Sequence, residues 1–112
     1  MVALSINPGD LDQRVRLEAE ATVPDGYGGG MLAWTLLAEV WARVRPVSGR
    51  ERAEAAAVEA PALYRFVIRR RGDLTAGMRV VWNSQAFNIR FVADGGGRDL
   101  YMTLDGERGV AV

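Results

Sequence analysis

The chain has 112 residues, enough for one domain that buries its own core. It contains no cysteine, which excludes a disulfide framework and thiol chemistry, and no histidine, which removes the commonest general base and metal ligand. Fourteen basic residues balance fourteen acidic ones, so no bulk field draws the chain to nucleic acid or to an anionic membrane.

All the basic residues are arginine. A GC-rich genome encodes such a set, and it also suits planar, bidentate contacts at protein interfaces or phosphates. The opening MVALSINPGD lacks a basic start and a long apolar run, so a signal peptide is not expected. No apolar stretch approaches the ~18 residues of a membrane span, and a soluble protein without membrane partners is expected.

In chain order, residues 1–13 read as a loosely ordered arm with a turn at Pro8-Gly9-Asp10. Val15, Leu17, Ala19 and Ala21 then alternate with Arg14, Arg16, Glu18 and Glu20, the pattern of a half-buried strand. Asp25-Gly26-Tyr27-Gly28-Gly29-Gly30 is too glycine-rich for a regular element and reads as a flexible hairpin loop. Residues 32–45 form a long strand, with Leu32, Trp34, Leu36, Ala38, Val40, Ala42 and Val44 on one face. Trp41 falls on the other face between Glu39 and Arg43, and Pro46 ends the strand because it cannot donate to a ladder.

Residues 48–60, SGRERAEAAAVEA, break the β pattern. Ser48 and Glu51 make a capping box, Arg50 and Glu54 are spaced for an ion pair, and alanine favours helix. Its apolar side is small, so the segment reads as a short helix weakly held to its own domain, or a loop that orders against a partner. Strand patterns then resume. Tyr64, Phe66 and Ile68 alternate through Arg69; Met78, Val80 and Trp82 form a short strand; Asn83-Ser84-Gln85 connects it to Phe87, Ile89 and Phe91. A turn at Asp94-Gly95-Gly96-Gly97 leads to Leu100, Met102 and Leu104. Short strands with close-spaced turns predict an all-β fold, a barrel or a sandwich, in one domain over residues 1–112.

No motif for chemistry accompanies this pattern. The glycine loop lacks the lysine of a phosphate-binding loop and precedes a strand instead of a helix. Asp94, Asp99 and Asp105 have no recognised ligand spacing, and no carboxylate pair suggests catalysis. No catalytic residue, metal site or cofactor is therefore expected. Arg69, Arg70 and Arg71, with Arg65 and Arg79, read as a basic patch, a charged strand edge or a protein interface. Trp41 is the foremost interface candidate, since tryptophan and arginine dominate binding hot spots; a β-bulge would instead turn it inward.

The order of motifs resembles the head–tail joining (head-closure, or stopper) proteins of tailed phages. The resemblance is carried by Gly9-Asp10-Leu11-Asp12-Gln13-Arg14-Val15, by Asp25-Gly26-Tyr27-Gly28-Gly29 followed by Trp34, and by Val40-Trp41-Ala42-Arg43-Val44-Arg45-Pro46 leading into Ser48-Gly49-Arg50-Glu51. Tyr64-Arg65-Phe66-Val67-Ile68-Arg69, Met78-Arg79-Val80-Val81-Trp82 and Phe87-Asn88-Ile89-Arg90 continue it, so that it spans about Gly9 to Leu104. The turn at Asn83-Ser84-Gln85 departs from the pattern by lacking a glycine, and the middle segment is unusually rich in alanine.

The resemblance implies a small β-barrel of about six strands with a loop or short helix projecting around residues 48–60. It implies a structural connector that forms a six- or twelve-fold ring with itself, closes the DNA-filled head below the portal or adaptor, and presents a surface to a tail terminator or tail tube. Packaged double-stranded DNA would pass without sequence readout. The protein would be made in the bacterial cytoplasm and reside in a phage or gene transfer agent particle. On this reading Tyr27, Trp41 and Arg43 are interface residues, Arg50 and Arg52 face the channel or the adaptor, and Arg69, Arg70 and Arg71 form a basic edge or tail-docking surface. The alternatives are a small nucleic-acid-binding barrel using Arg65, Arg69, Arg70 and Arg71, and a tail terminator or minor tail protein of the same particle.

Overall fold

Alternating runs become strands when one of their faces can be covered. The structure, a computed structural model, describes residues 7–47, 63–94 and 100–111. The alanine-rich segment with Arg50 and Arg52, and the turn at Gly95-Gly96-Gly97 with Asp99, lie outside the described residues. The strands are β1 (Gln13–Pro24), β2 (Gly30–Pro46), β3 (Leu63–Arg69), β4 (Arg79–Trp82), β5 (Gln85–Ala93) and β6 (Tyr101–Ala111). Neighbours pair antiparallel in the order β1-β2-β3-β6-β5-β4, and β4 returns to β1 through Arg16↔Val81, Leu17↔Val80 and Glu18↔Arg79. The sheet is thus a closed barrel, as expected, and closure leaves no free edge strand around the barrel itself. The β4–β5 turn manages without glycine because Asn83 and Ser84 both take positive φ, 52° and 60°. That is the two-residue turn whose twist matches a hairpin.

The inward face is apolar throughout. Val15, Leu17, Ala42, Val44, Phe66, Ile68, Val80, Phe87, Ile89, Met102 and Leu104 are buried in one cluster. Tyr64, Phe66, Trp82 and Phe87 stack tilted or edge-on, with centroids 5.1 to 6.4 Å apart. Trp82 Nε1 donates to Gln13 Oε1 at 3.1 Å, so the indole's polar end is satisfied. Gly106 makes room for these rings. A Cβ there would stand 2.9 Å from Phe87 Cβ and 3.2 Å from Phe66 Cε1. The barrel interior is filled by side chains and is not a pore.

Two bulges correct the sequence reading. Leu17 lies opposite Ala38 and Glu18 opposite Leu36, which leaves Leu37 as an extra residue in β2. An extra residue reverses the parity of all that follows. Met31, Ala33 and Thr35 therefore oppose Val23, Ala21 and Ala19 on the core-side face, while Leu32, Trp34 and Leu36 move to the outer face. In β5, Ile89 opposes Gly106 but Phe91 opposes Asp105. Phe91 is consequently exposed and Val92 packs against the core in its place.

Two ends also differ from expectation. β6 runs to Ala111 and begins after Leu100, which is exposed. The N-terminal arm is tied down from Asn7 onward. Asn7 Oδ1 accepts from Gly9 N and caps a single 3-10 turn, Pro8–Asp10, after which Leu11 is buried with Val67 and Tyr101 outside the barrel.

Candidate functional site

Trp41 projects from the outer face of β2 and is half exposed, at 51%. The bulge at Leu37 leaves its parity untouched, since the register from Gln13↔Ala42 to Leu17↔Ala38 is regular. The end of β3 and the chain beyond it bring Arg69, Arg70 and Arg71 alongside. Together with Leu11 and Val40 these residues line a cleft of about 320 Å³. Two groups of residues that the sequence singles out separately thus form one site: Trp41, beside Leu11, and Arg69, Arg70 and Arg71.

The charges around the cleft are partly balanced. Arg71 forms a two-pronged ion pair with Asp73 at 3.0 and 2.9 Å, and this hydrogen-bonded partner holds the Asp73 carboxyl below its ordinary range. Arg70 Nη2 lies 3.9 Å from Asp94. Arg69 extends over the Tyr101 ring, 5.8 Å from its centroid. Arg14 covers the Trp41 ring at 5.2 Å and reaches Glu39 at 3.5 Å. Arginines held by such stacking and pairing lose little further freedom when a partner docks. The arrangement suits a protein segment carrying apolar and acidic groups.

The remaining site residues lie elsewhere. Arg43 stands two residues along β2, in register with Val67, and its Nε is buried without a hydrogen-bond partner. Tyr27 is not near the cleft. It caps the β1–β2 hairpin, almost wholly exposed at 94%. The loop beneath it is fixed by Asp25 Oδ1, which accepts from Tyr27 N at 2.8 Å and Gly29 N at 3.2 Å, with Gly26 and Gly28 supplying positive φ. From Ala19 to Thr35 the two strands of this hairpin pair only with each other. They form an arm whose exposed apolar side chains include Met31 and Leu32, with Leu36 exposed at its base. Sequence reasoning missed this arm, because placing Leu32 and Leu36 outside depends on the bulge.

At the base of the arm, Arg79 Nε donates to the buried Glu18 Oε1 at 2.7 Å and stacks under Trp34 at 4.5 Å. Arg65 is engaged by Asp105 at 2.8 and 3.2 Å. The five arginines are therefore divided and do not form one basic patch, and β3 and β4, which carry Arg65, Arg69 and Arg79, are not edge strands of the closed barrel. Among the described residues no group of three or more acidic side chains is placed to hold a metal.

Comparison with known proteins gives a consistent result. The sequence profile described as "Phage head completion protein" matches residues 6–109. A chain from the structure titled "Virion of native gene transfer agent (GTA) particle" is similar at 30% identity and a TM-score of 0.58, covering 89% of this chain and 96% of that one. Protein SF1141 from Shigella flexneri 2a, solved in solution, has the same fold at a TM-score of 0.72 and 22% identity, covering 94% of this chain and 98% of that one. No curated protein matches the sequence.

Proposed function

Because the chain belongs to the phage head completion protein family, we propose that it is a structural connector at the head–tail junction of a phage or gene transfer agent particle. In this role it forms a ring, closes the DNA-filled head below the portal or adaptor, and offers the tail a docking surface. The observation that carries the reading is the cleft between Trp41 and Arg69, Arg70 and Arg71, whose indole and arginines suit docking of another protein. The filled barrel supports the ring. DNA cannot pass through a core packed with Phe66, Trp82 and Phe87, so a channel has to run between copies.

Trp41 and Arg43 serve as contacts to neighbouring proteins, and Arg50 and Arg52 face the channel or adaptor. Near the DNA backbone they hold it without reading sequence, as phosphate contacts do. The division of the arginines favours this reading over a nucleic-acid-binding barrel, which needs a continuous basic track. The test is electron microscopy of particles from a strain lacking the gene. Separate heads and tails, with heads empty or leaking DNA, are expected. Intact, tailed, DNA-filled particles would refute the connector role.

A further inference from the structure

The β1–β2 arm is a two-stranded ribbon uncovered on both faces, and such ribbons are marginal on their own. It bears Tyr27, Met31 and Leu32 exposed, with Leu36 exposed at its base. Its charges are of one sign: between Ala19 and Thr35 there are Glu20 and Asp25 and no basic residue. The Trp41 cleft is the counterpart, lined by Trp41 and Leu11 together with Arg69, Arg70 and Arg71. The arm cannot reach the cleft of its own chain. Gly30 and Trp41 stand at the two ends of one continuous strand segment, about 36 Å apart along it. The clasp of Glu18, Arg79 and Trp34 further fixes the arm's base to the barrel.

We propose that the arm of one copy seats in the Trp41 cleft of the next copy, Tyr27 and Leu32 against Trp41 and Leu11, with Glu20 and Asp25 facing the three arginines. Such a contact joins two different surfaces of the same chain. It is heterologous, and heterologous contacts that close produce rings. The inference rests on the connector reading and names the contact that builds its ring.

The chain has no native cysteine, so a thiol pair can be placed cleanly. Tyr27→Cys and Arg70→Cys are introduced together at exposed positions in the full chain, and purified particles are treated with a short bis-maleimide. A ladder of covalent multimers of this chain is expected, and neither single variant should give more than trace dimer. A second pair, Leu32→Cys with Arg69→Cys, should give the same ladder. Particles that contain the variants but yield only monomers, or crosslinks to a different protein, would overturn the arm-in-cleft contact and leave the connector role standing. Absence of the wild-type chain from particles would overturn the connector role itself, and this contact with it.

Discussion

At the scale of single residues, two positions separate folding from function. Gly106 belongs to folding. It lies in the middle of β6 opposite Tyr64 and Ile89, where the Phe66 ring and the Phe87 Cβ crowd its backbone. Gly106→Ala forces those side chains or the strand to shift, at a cost of about 1–3 kcal/mol, the usual range for overpacking a filled core. Chemical denaturation of the purified protein measures this directly. Trp41 is the residue to which the proposed connector role assigns docking. Half its surface is in water and it is outside the core cluster, so its removal leaves the barrel intact.

The residue scale also shows what is legible in a sequence. The parity of Trp41 can be read by counting from Ala42 and Val44, because no bulge intervenes. Trp34 cannot be placed this way. Its face depends on Leu37 being looped out, and Leu37 looks like any other apolar strand residue. Phe91 is misplaced for the same reason by the bulge at Arg90.

At the scale of elements, the β1–β2 arm and its anchor are the principal finding. Arg79 comes from β4, Glu18 from β1 and Trp34 from β2, so the clasp joins the arm to the barrel where β4 closes it. Glu18 is buried and keeps Arg16 as a second, weaker partner at 3.3 Å. Arg79→Gln leaves the carboxylate short of charge compensation and is expected to destabilise the protein by up to about 3 kcal/mol. Hydrogen exchange should show the loss first in amides of residues 19–35, ahead of the barrel strands. Uniform exchange across all strands would mean that the arm has no separate anchor.

Strands were the most legible elements, because alternation reports a covered face whatever covers it. The sequence reading of β6 stops at Leu104, because the apolar alternation lapses at Asp105-Gly106-Glu107-Arg108. The structure shows that Gly106 is an inward position kept small for two aromatic rings, with the charged neighbours facing outward or pairing with Arg65 and Arg90. Pairing partners were illegible. That Trp41 meets Arg69–Arg71 follows from the long-range register of β2 on β3, which no local pattern encodes.

At the scale of the whole molecule, a filled barrel carries an acidic, apolar arm at one end of its longest strand and a basic, apolar cleft near the other. Zero net charge conceals this polarity. Composition alone suggested a chain without electrostatic preference, yet opposite charges placed at separate surfaces are what directional self-association needs. Family membership supplies the setting in which such association would have a purpose, and a barrel filled by side chains is consistent with the proposal that copies act together.

The most direct measurement is the fraction of heads bearing tails when a strain lacking the gene is complemented with Trp41→Ala. Removing a hot-spot tryptophan typically costs 2 kcal/mol or more, about thirtyfold in affinity. The account predicts a folded protein, with unchanged denaturation, and at least a tenfold drop in joined particles. Joined particles in normal numbers would contradict it.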